Sequence, residues 1–272
     1  MPIGYNLEIR QAEGRTRVIY AALALLCIGV FYFACIFPAQ WVEVRRVRRP
    51  LGLNVRILQI SDLHVEKTWV GPEKLRRLIA ETSPDYIFLT GDYTQRLRHL
   101  PKVDEYLKAV RDAGVPVYAV LGNHDYRLRS DLPAMLDLFR RRGIPLLRNE
   151  SLRVGNFRLV GIDDDYSGKS HPRKAFRDAL PGERCIVVTH DPTVTRRIDR
   201  PYDYLMSGHF HGGQFRVPFV FRLRYKGPLP LQGIVKGIHT DRNGTYYISK
   251  GLSQTGLNFR FLIRSEITVH EL

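Results

Sequence analysis

Cysteine is nearly absent from this chain, with three in 272 residues. Two of them, Cys27 and Cys35, lie inside one apolar stretch, and Cys185 sits in the run Cys185-Ile186-Val187-Val188. So sparse and odd a set cannot build a disulfide framework, and no CxxC spacing offers a zinc or redox pair. All three read as small apolar residues. Internal repeats and low-complexity tracts are also missing, which excludes solenoids and disordered linkers. Acidic residues are in deficit: 27 Asp and Glu stand against 42 Lys and Arg, a formal net charge of +15. Residues 1–38 hold three of the bases and two of the acids, so the remainder carries +14. A field of that sign attracts phosphorylated molecules, nucleic acid or acidic lipid headgroups. Charge alone does not choose among them, and a solubility role with no partner fits as well.

Only one long apolar run is present. Val18 to Phe37 contains no charge over 20 residues. At about 1.5 Å per residue it spans about 30 Å, the thickness of a bilayer's hydrocarbon core. Tyr20, Tyr32 and Trp41 lie towards its ends, where aromatic rings suit the interface. A cleaved signal peptide would have a shorter core and a small-x-small cleavage site. The expectation is an N-terminal tail at 1–17, one uncleaved transmembrane anchor at 18–38 and a catalytic domain at 39–272. Arg10, Arg15 and Arg17 flank one end of the run, and Arg45, Arg46, Arg48 and Arg49 the other. The balance slightly favours a cytoplasmic domain. However, residues 41–49 alternate like a strand, and those arginines then belong to the fold.

Beyond the anchor, short apolar runs alternate with amphipathic stretches. Residues 55–60, 86–90 and 115–121 read as buried strands, with helices at 71–82, 102–113 and 132–141 between and after them. A pair of strands follows at 151–162, then strands at 185–189, 204–206, 245–249 and 263–270. The pattern is that of an α/β domain.

Five of these strands end in a polar cluster: Asp62-x-His64, Gly91-Asp92, Gly122-Asn123-His124-Asp125, His190-Asp191 and Gly208-His209-x-His211. Singly each is weak, because Gly-Asp and Gly-Asn are ordinary turn chemistry and a lone histidine is usually structural. Together they place two aspartates, one asparagine and four histidines where strand ends converge. Imidazole and carboxylate suit Mn, Fe, Zn, Ni or Co, and the number of ligands suits two divalent ions sharing one carboxylate.

The ordered set DLH, GDYT, GNHD, VTHD and GHFH, spread over residues 41–272, resembles the calcineurin-like metallophosphoesterase superfamily. ISDLH, GHFHGGQ and the late YISKGL are similar to a bacterial membrane-associated branch of phosphodiesterases that includes a UDP-diacylglucosamine pyrophosphatase. The resemblance implies a four-layer α/β/β/α sandwich and a dinuclear centre. Asp62, His64 and His211 would hold one metal, Asn123, His190 and His209 the other, with Asp92 bridging and His124 as the catalytic histidine that binds no metal. Phe210 departs from a common Thr, and Ser253-Gln254 stands where relatives have more glycine, which leaves the substrate wall open. Asp125 would either orient His124 or cap a helix. Gln214 and Arg216 are candidates for substrate phosphate. His99, His171, His239 and His270 fall in no cluster, and residues 217–225 read as either a membrane-resting or a self-packed loop. The expected activity is hydrolysis of a phosphodiester or pyrophosphate in a phosphorylated small molecule or lipid at the bacterial inner membrane, with no obligate protein partner. A nuclease is the alternative, although no nucleic-acid motif accompanies the charge. A non-catalytic scaffold is disfavoured because every expected position is filled.

Overall fold

The computed structural model describes residues 3–215, 217 and 227–272, with side chains from residue 13 onward. Arg216 and most of the 217–225 run therefore lie outside the described residues. The first helix, α1 (Ile3–Phe31), passes through a π-helical turn at Tyr32–Ile36 into α2 (Phe37–Gln40). The stretch Glu13–Gln40 is long and apolar enough to cross a membrane. Its side chains up to Phe33 are almost all exposed, whereas Cys35, Pro38 and Ala39 are buried against the rest of the protein.

Proline explains this junction. Pro38 has no N–H and crowds the carbonyl four residues earlier, so the helical ladder breaks at Ala34. The freed carbonyl and its neighbour are bonded from outside the helix: Leu262 N–H donates to Ala34 O at 2.9 Å and Arg260 N–H to Cys35 O at 3.0 Å. Ser265 completes the set, its N–H donating to Pro38 O and its hydroxyl to Ala39 O. The helix end is thus bonded to the domain along residues 260–265, not tethered to it.

Two sheets follow. The first has the order β1-β11-β2-β3-β4, built from β1 (Glu43–Arg48), β2 (Arg56–Ile60), β3 (Tyr86–Thr90), β4 (Val117–Val120) and β11 (Glu266–Glu271). β2, β3 and β4 are parallel, β11 runs against β2, and β1 runs with β11. The second has the order β5-β6-β7-β8-β10-β9, from β5 (Glu150–Val154), β6 (Phe157–Gly161), β7 (Cys185–Val188), β8 (Tyr204–Ser207), β9 (Gly237–Thr240) and β10 (Thr245–Ile248). Its centre, β6-β7-β8-β10, is parallel.

Period-two alternation sends each central strand to two cores, as covered parallel sheets require. In β2 and β3, Leu58, Ile60, Ile87 and Leu89 pack under α3 (Pro72–Thr82), α4 (Leu100–Arg111) and α5 (Leu132–Arg141). Ile57 and Phe88 point the other way, into the layer between the sheets, where they meet Ile186, Val188, Tyr204 and Met206. Cys185, Val187 and Leu205 face outward under α6 (Pro172–Ala175) and the 3₁₀ segment Pro192–Arg197. This is the expected four-layer sandwich, with a thin outer layer over the second sheet. Expected strands and helices recur within a few residues of their observed bounds, and 132–141 and 86–90 match outright. The short β9 and α6 had no sequence counterpart.

The inter-sheet layer is not wholly apolar. Gln59 donates to Thr90 Oγ1 and to Ser207 O, and its carbonyl lies 3.0 Å from His270 Nε2. His270 Nδ1 lies 3.0 Å from Tyr204 Oη. This chain stitches β11, β2, β3 and β8 together across the sandwich. The arginines of β1 also belong to the fold, since Arg46 and Arg48 pair with Glu271 and Arg49 donates to Thr245. They are weak witnesses to membrane orientation.

Candidate metal centre

Every polar cluster singled out in the sequence follows the carboxyl end of a strand: β2, β3 and β4 in one sheet, β7 and β8 in the other. Both sheets present these ends to a common edge, so the five loops meet there. Asp62, His64, Asp92 and His211 are buried, and their ligand atoms all lie within 4.8 Å of one another. Asp92 belongs to a second set as well. Its Oδ2 is 3.3 Å from His64 Nε2 and 3.2 Å from His190 Nε2. Around His190, His209 Nδ1 stands 3.2 Å from His190 Nε2 and 3.0 Å from Asn123 Oδ1.

The donor set fits cations better than a web of hydrogen bonds. His190 Nδ1 lies 2.8 Å from the Thr90 carbonyl and His211 Nδ1 2.8 Å from the Ser253 carbonyl. A carbonyl accepts only, so both rings carry their proton on Nδ1 and turn an Nε2 lone pair inward, as outer-shell partners do for metal-binding histidines. Those lone pairs face the carboxylate oxygens of Asp92 and Asp62, a convergence of acceptors. His64 Nε2 is buried with no hydrogen-bond partner. A divalent ion in each of the two sets would satisfy these atoms; protons would have to do so otherwise. Without metal, burial would push the His190 ring down, but the charge and hydrogen bond of Asp92 outweigh it and raise His190 well above its usual value. Asp92 is held well below the carboxylate range: burial opposes ionisation, and His190 and His124 overcome it.

The backbone is strained where the side chains converge. Asp62, His64, Asp92, His209 and His211 all have positive φ, from 33° to 74°. Each such residue costs of order 1–3 kcal/mol and persists only where its surroundings fix it. A Cβ on Gly122 would overlap the Asp92 carboxylate, and one on Gly208 would overlap Ser61 and Asp62. These glycines let neighbouring loops close onto the carboxylates.

His124 stands beside this cluster, its ring 4.7 Å from that of His64. Its backbone N–H donates to Asp92 Oδ1 at 2.8 Å. Its Nδ1 is 3.1 Å from Gln95 Oε1, which also accepts from Arg127 at 2.8 Å. Burial pushes the His124 ring down to about 3, helped by the neighbouring His64, Arg127 and His190 against the pull of Asp92.

Asp125 takes neither role foreseen for it. Fully buried, it accepts the backbone N–H groups of Asp92, Tyr93, Thr94 and Gly122 at 2.7–3.2 Å, clasping the β3 loop to the β4 loop. Gln214 is also buried, and its amide is committed to a wall: Nε2 donates to Leu257 O and Phe259 O, while Oε1 accepts from Thr255 N–H. His270 is buried structure, as described above, and His99, His171 and His239 lie outside the cluster.

Sequence reasoning passed over Gln95, Arg127 and Asp164. Asp164 is buried, its Oδ1 has no hydrogen-bond partner, and it lies close enough for His190 and His209 to influence it. Burial pushes its carboxyl up to about 6, against the pull of His190. Its signal was available, since β6 ends at Gly161 and Asp163-Asp164-Asp165 follows, the same strand-end polar pattern. Gln95 and Arg127 carried no such signal.

Comparison with known proteins agrees with this geometry. Residues 55–213 match the model of the calcineurin-like phosphoesterase family. The chain is 38% identical over 268 residues to the uncharacterized metallophosphoesterase YkoQ of Bacillus subtilis, covering 93% of this chain and 99% of that one. It is 28% identical to the phosphodiesterase YaeI of Escherichia coli, over 85% of this chain and 88% of that one. Identity to the UDP-2,3-diacylglucosamine pyrophosphatase LpxG of Chlamydia trachomatis is 26%, over 61% and 66% of the two chains.

Proposed function

This chain belongs to the calcineurin-like phosphoesterase family, and from that premise we propose a membrane-anchored hydrolase that cleaves a phosphodiester or pyrophosphate bond at two divalent metal ions. One observation carries the reading: a single carboxylate oxygen, Asp92 Oδ2, stands between His64 and His190, where two ligand sets meet. Asp62, His64 and His211 complete one set, and Asn123, His190 and His209 the other. Ions held there would acidify a water and draw charge from a phosphoryl oxygen.

The chain's own residues supply orientation and proton handling. The Thr90 and Ser253 carbonyls fix the rings of His190 and His211, so the ligand atoms are set before substrate arrives. Gln95 Oε1, itself held by Arg127, accepts a hydrogen bond from His124 Nδ1–H and leaves Nε2, 3.5 Å from Thr255 Oγ1, as the ring nitrogen for proton transfer. An anionic phosphoryl group beside that ring favours a proton on Nε2, which His124 passes to the leaving oxygen as the bond to phosphorus breaks. The attacking water gives up one proton to solvent as its oxygen forms the new bond to phosphorus, and His124 regains a proton from solvent afterwards, so atoms and charge balance.

The names of two relatives, a phosphodiesterase and a UDP-2,3-diacylglucosamine pyrophosphatase, support a substrate such as UDP-2,3-diacylglucosamine or another phosphorylated lipid. The apolar helix supports a single-pass membrane anchor; a cytoplasmic domain at the bacterial inner membrane rests on the flanking arginines alone. The test is metal analysis of the purified full chain, followed by assay against UDP-diacylglucosamine, phospholipids, nucleotides, DNA and bis-p-nitrophenyl phosphate. The reading expects two ions per chain, loss of turnover on chelation and recovery on reloading. Well-folded protein that takes up no metal would sink it. Salt-sensitive cleavage of DNA alone would turn the reading to a nuclease.

A further inference from the structure

The anchor enters the fold at the edge that carries the metal-ligand cluster. β11 begins at Glu266 and runs against β2, whose carboxyl end leads to Asp62 and His64. β1 runs with β11, Glu43 opposite Glu266. The strand that follows the anchor therefore starts where β2 finishes.

One loop, residues 253–262, joins the two features physically. At its beginning, Ser253 O receives His211 Nδ1–H, and Thr255 Oγ1 stands 3.5 Å from His124 Nε2. At its end, Arg260 and Leu262 bond to the carbonyls of Cys35 and Ala34, and the Phe259 ring lies 5.9 Å from Phe31. Ala34 is three residues inside the apolar run that ends at Phe37, and Phe31 is six. At about 1.5 Å per residue those are depths of about 4.5 and 9 Å. A loop lying beside them shares their level.

Its surface chemistry fits that level. Leu257 and Leu262 are 56% and 51% exposed, and neighbouring Trp69, 43% exposed, donates its indole N–H to Asn258 O. Just past the apolar run, Lys74 donates to Gln40 O and Arg264 lies over the Trp41 ring, which puts two cations at headgroup height.

We propose that loop 253–262 dips into the leaflet beside the anchor and that the site opens onto the membrane surface. Its substrate is then the phosphodiester or pyrophosphate headgroup of an amphiphile resident in that leaflet, reached without leaving the bilayer. The substrate half rests on the phosphohydrolase reading above; the docking half does not.

The test has two arms, both on the full chain in vesicles. Trp41 and Trp69 are the two tryptophans, so W41F leaves Trp69 as the reporter. In vesicles of dibrominated phosphatidylcholine its fluorescence should fall at least about twofold relative to unbrominated lipid. Unchanged fluorescence overturns the docking. In the second arm, L257D, L262D and the milder L257N are assayed on two diesters of like chemistry: a p-nitrophenyl phosphodiester of dioleoylglycerol in the vesicle, and bis-p-nitrophenyl phosphate in solution. Loss of about tenfold or more on the lipid, with the soluble diester within about twofold of the parent, is the expected result. Equal loss on both, or no loss on either, overturns the assignment of an embedded substrate. A parent protein that is metal-loaded yet cleaves neither diester fails the phosphohydrolase reading and the substrate half with it, while the quenching result decides the docking by itself.

Discussion

Replacing Asp125 by alanine should unfold the site from beneath. The carboxylate makes four hydrogen bonds, to N–H groups of Asp92, Tyr93, Thr94 and Gly122, in a fully buried position. A hydrogen bond to a charged group contributes about 1.5–3 kcal/mol net, and a buried donor left without a partner costs about 1–3 kcal/mol. Four bonds to one group are not independent, and water entering the vacated space would recover part of the loss. A destabilisation of about 3–5 kcal/mol is therefore expected, the range for removing one partner of a buried charged contact. With a urea dependence of about 3 kcal/mol/M, the unfolding midpoint of the detergent-solubilised full chain falls by about 1–1.7 M. Asp125→Asn keeps one acceptor oxygen, hence at most two of the bonds, and should lose about half as much. Because Asp92 hangs from this clasp, metal affinity should fall about 10–100-fold as well. An alanine variant within 1 kcal/mol of the parent, with unchanged metal content, would refute the clasp. A variant of normal stability whose pH–rate profile alone had moved would restore the role of orienting His124.

Three further outcomes follow from the same geometry. His124→Ala should retain both metals by elemental analysis and lose about 10²–10⁴-fold in turnover; full turnover would remove the ring from the chemistry. Asp92→Asn should weaken both metals together in a chelator titration, whereas loss of one alone would mean that the carboxylate is not shared. His270 is buried, and burial holds its ring down at about 3. The unfolded chain takes up that proton near 6.5, so the neutral ring stabilises the fold fully above pH 6.5 and loses that contribution progressively as pH falls towards 3. In urea titrations across that window, His270→Gln should show a shallower acid decline than the parent, by up to about 1.4 kcal/mol per pH unit; parallel curves would refute it.

Much of this was legible in the sequence for a local reason. Strands buried on both faces are continuous apolar runs, and a polar cluster that ends one is visible in a few letters, as in Ile57-Leu58-Gln59-Ile60 followed by Ser61-Asp62. What escaped depends on partners distant along the chain. Asp125 reads as a turn residue or a cap because three of its four donors lie more than thirty residues earlier. Arg260 would be taken for a surface charge. It is fully buried because the carbonyls of Lys250, Gly251, Ser253 and Arg264 converge on its guanidinium. Gln214 looked like a phosphate contact by its place after His211, and only the fold reveals three backbone groups of residues 255–259 already around it.

Arg260 also shows why the helix end and the cluster must be considered together. Its N–H holds Cys35 O, and its guanidinium binds the Ser253 carbonyl, the same oxygen that fixes the tautomer of His211. Two covalently continuous groups of one residue thus connect the broken helical ladder before Pro38 to a histidine whose lone pair points into the cluster. A flexible tether would leave the anchor and the site free to move independently. Here the helix has no Pro38 N–H to offer Ala34 O, and the loop that bonds Ala34 O and Cys35 O is the loop that sets His211. The sequence break at Pro38 and the ligand at His211 are therefore parts of one hydrogen-bonded unit, though they lie 173 residues apart in the chain.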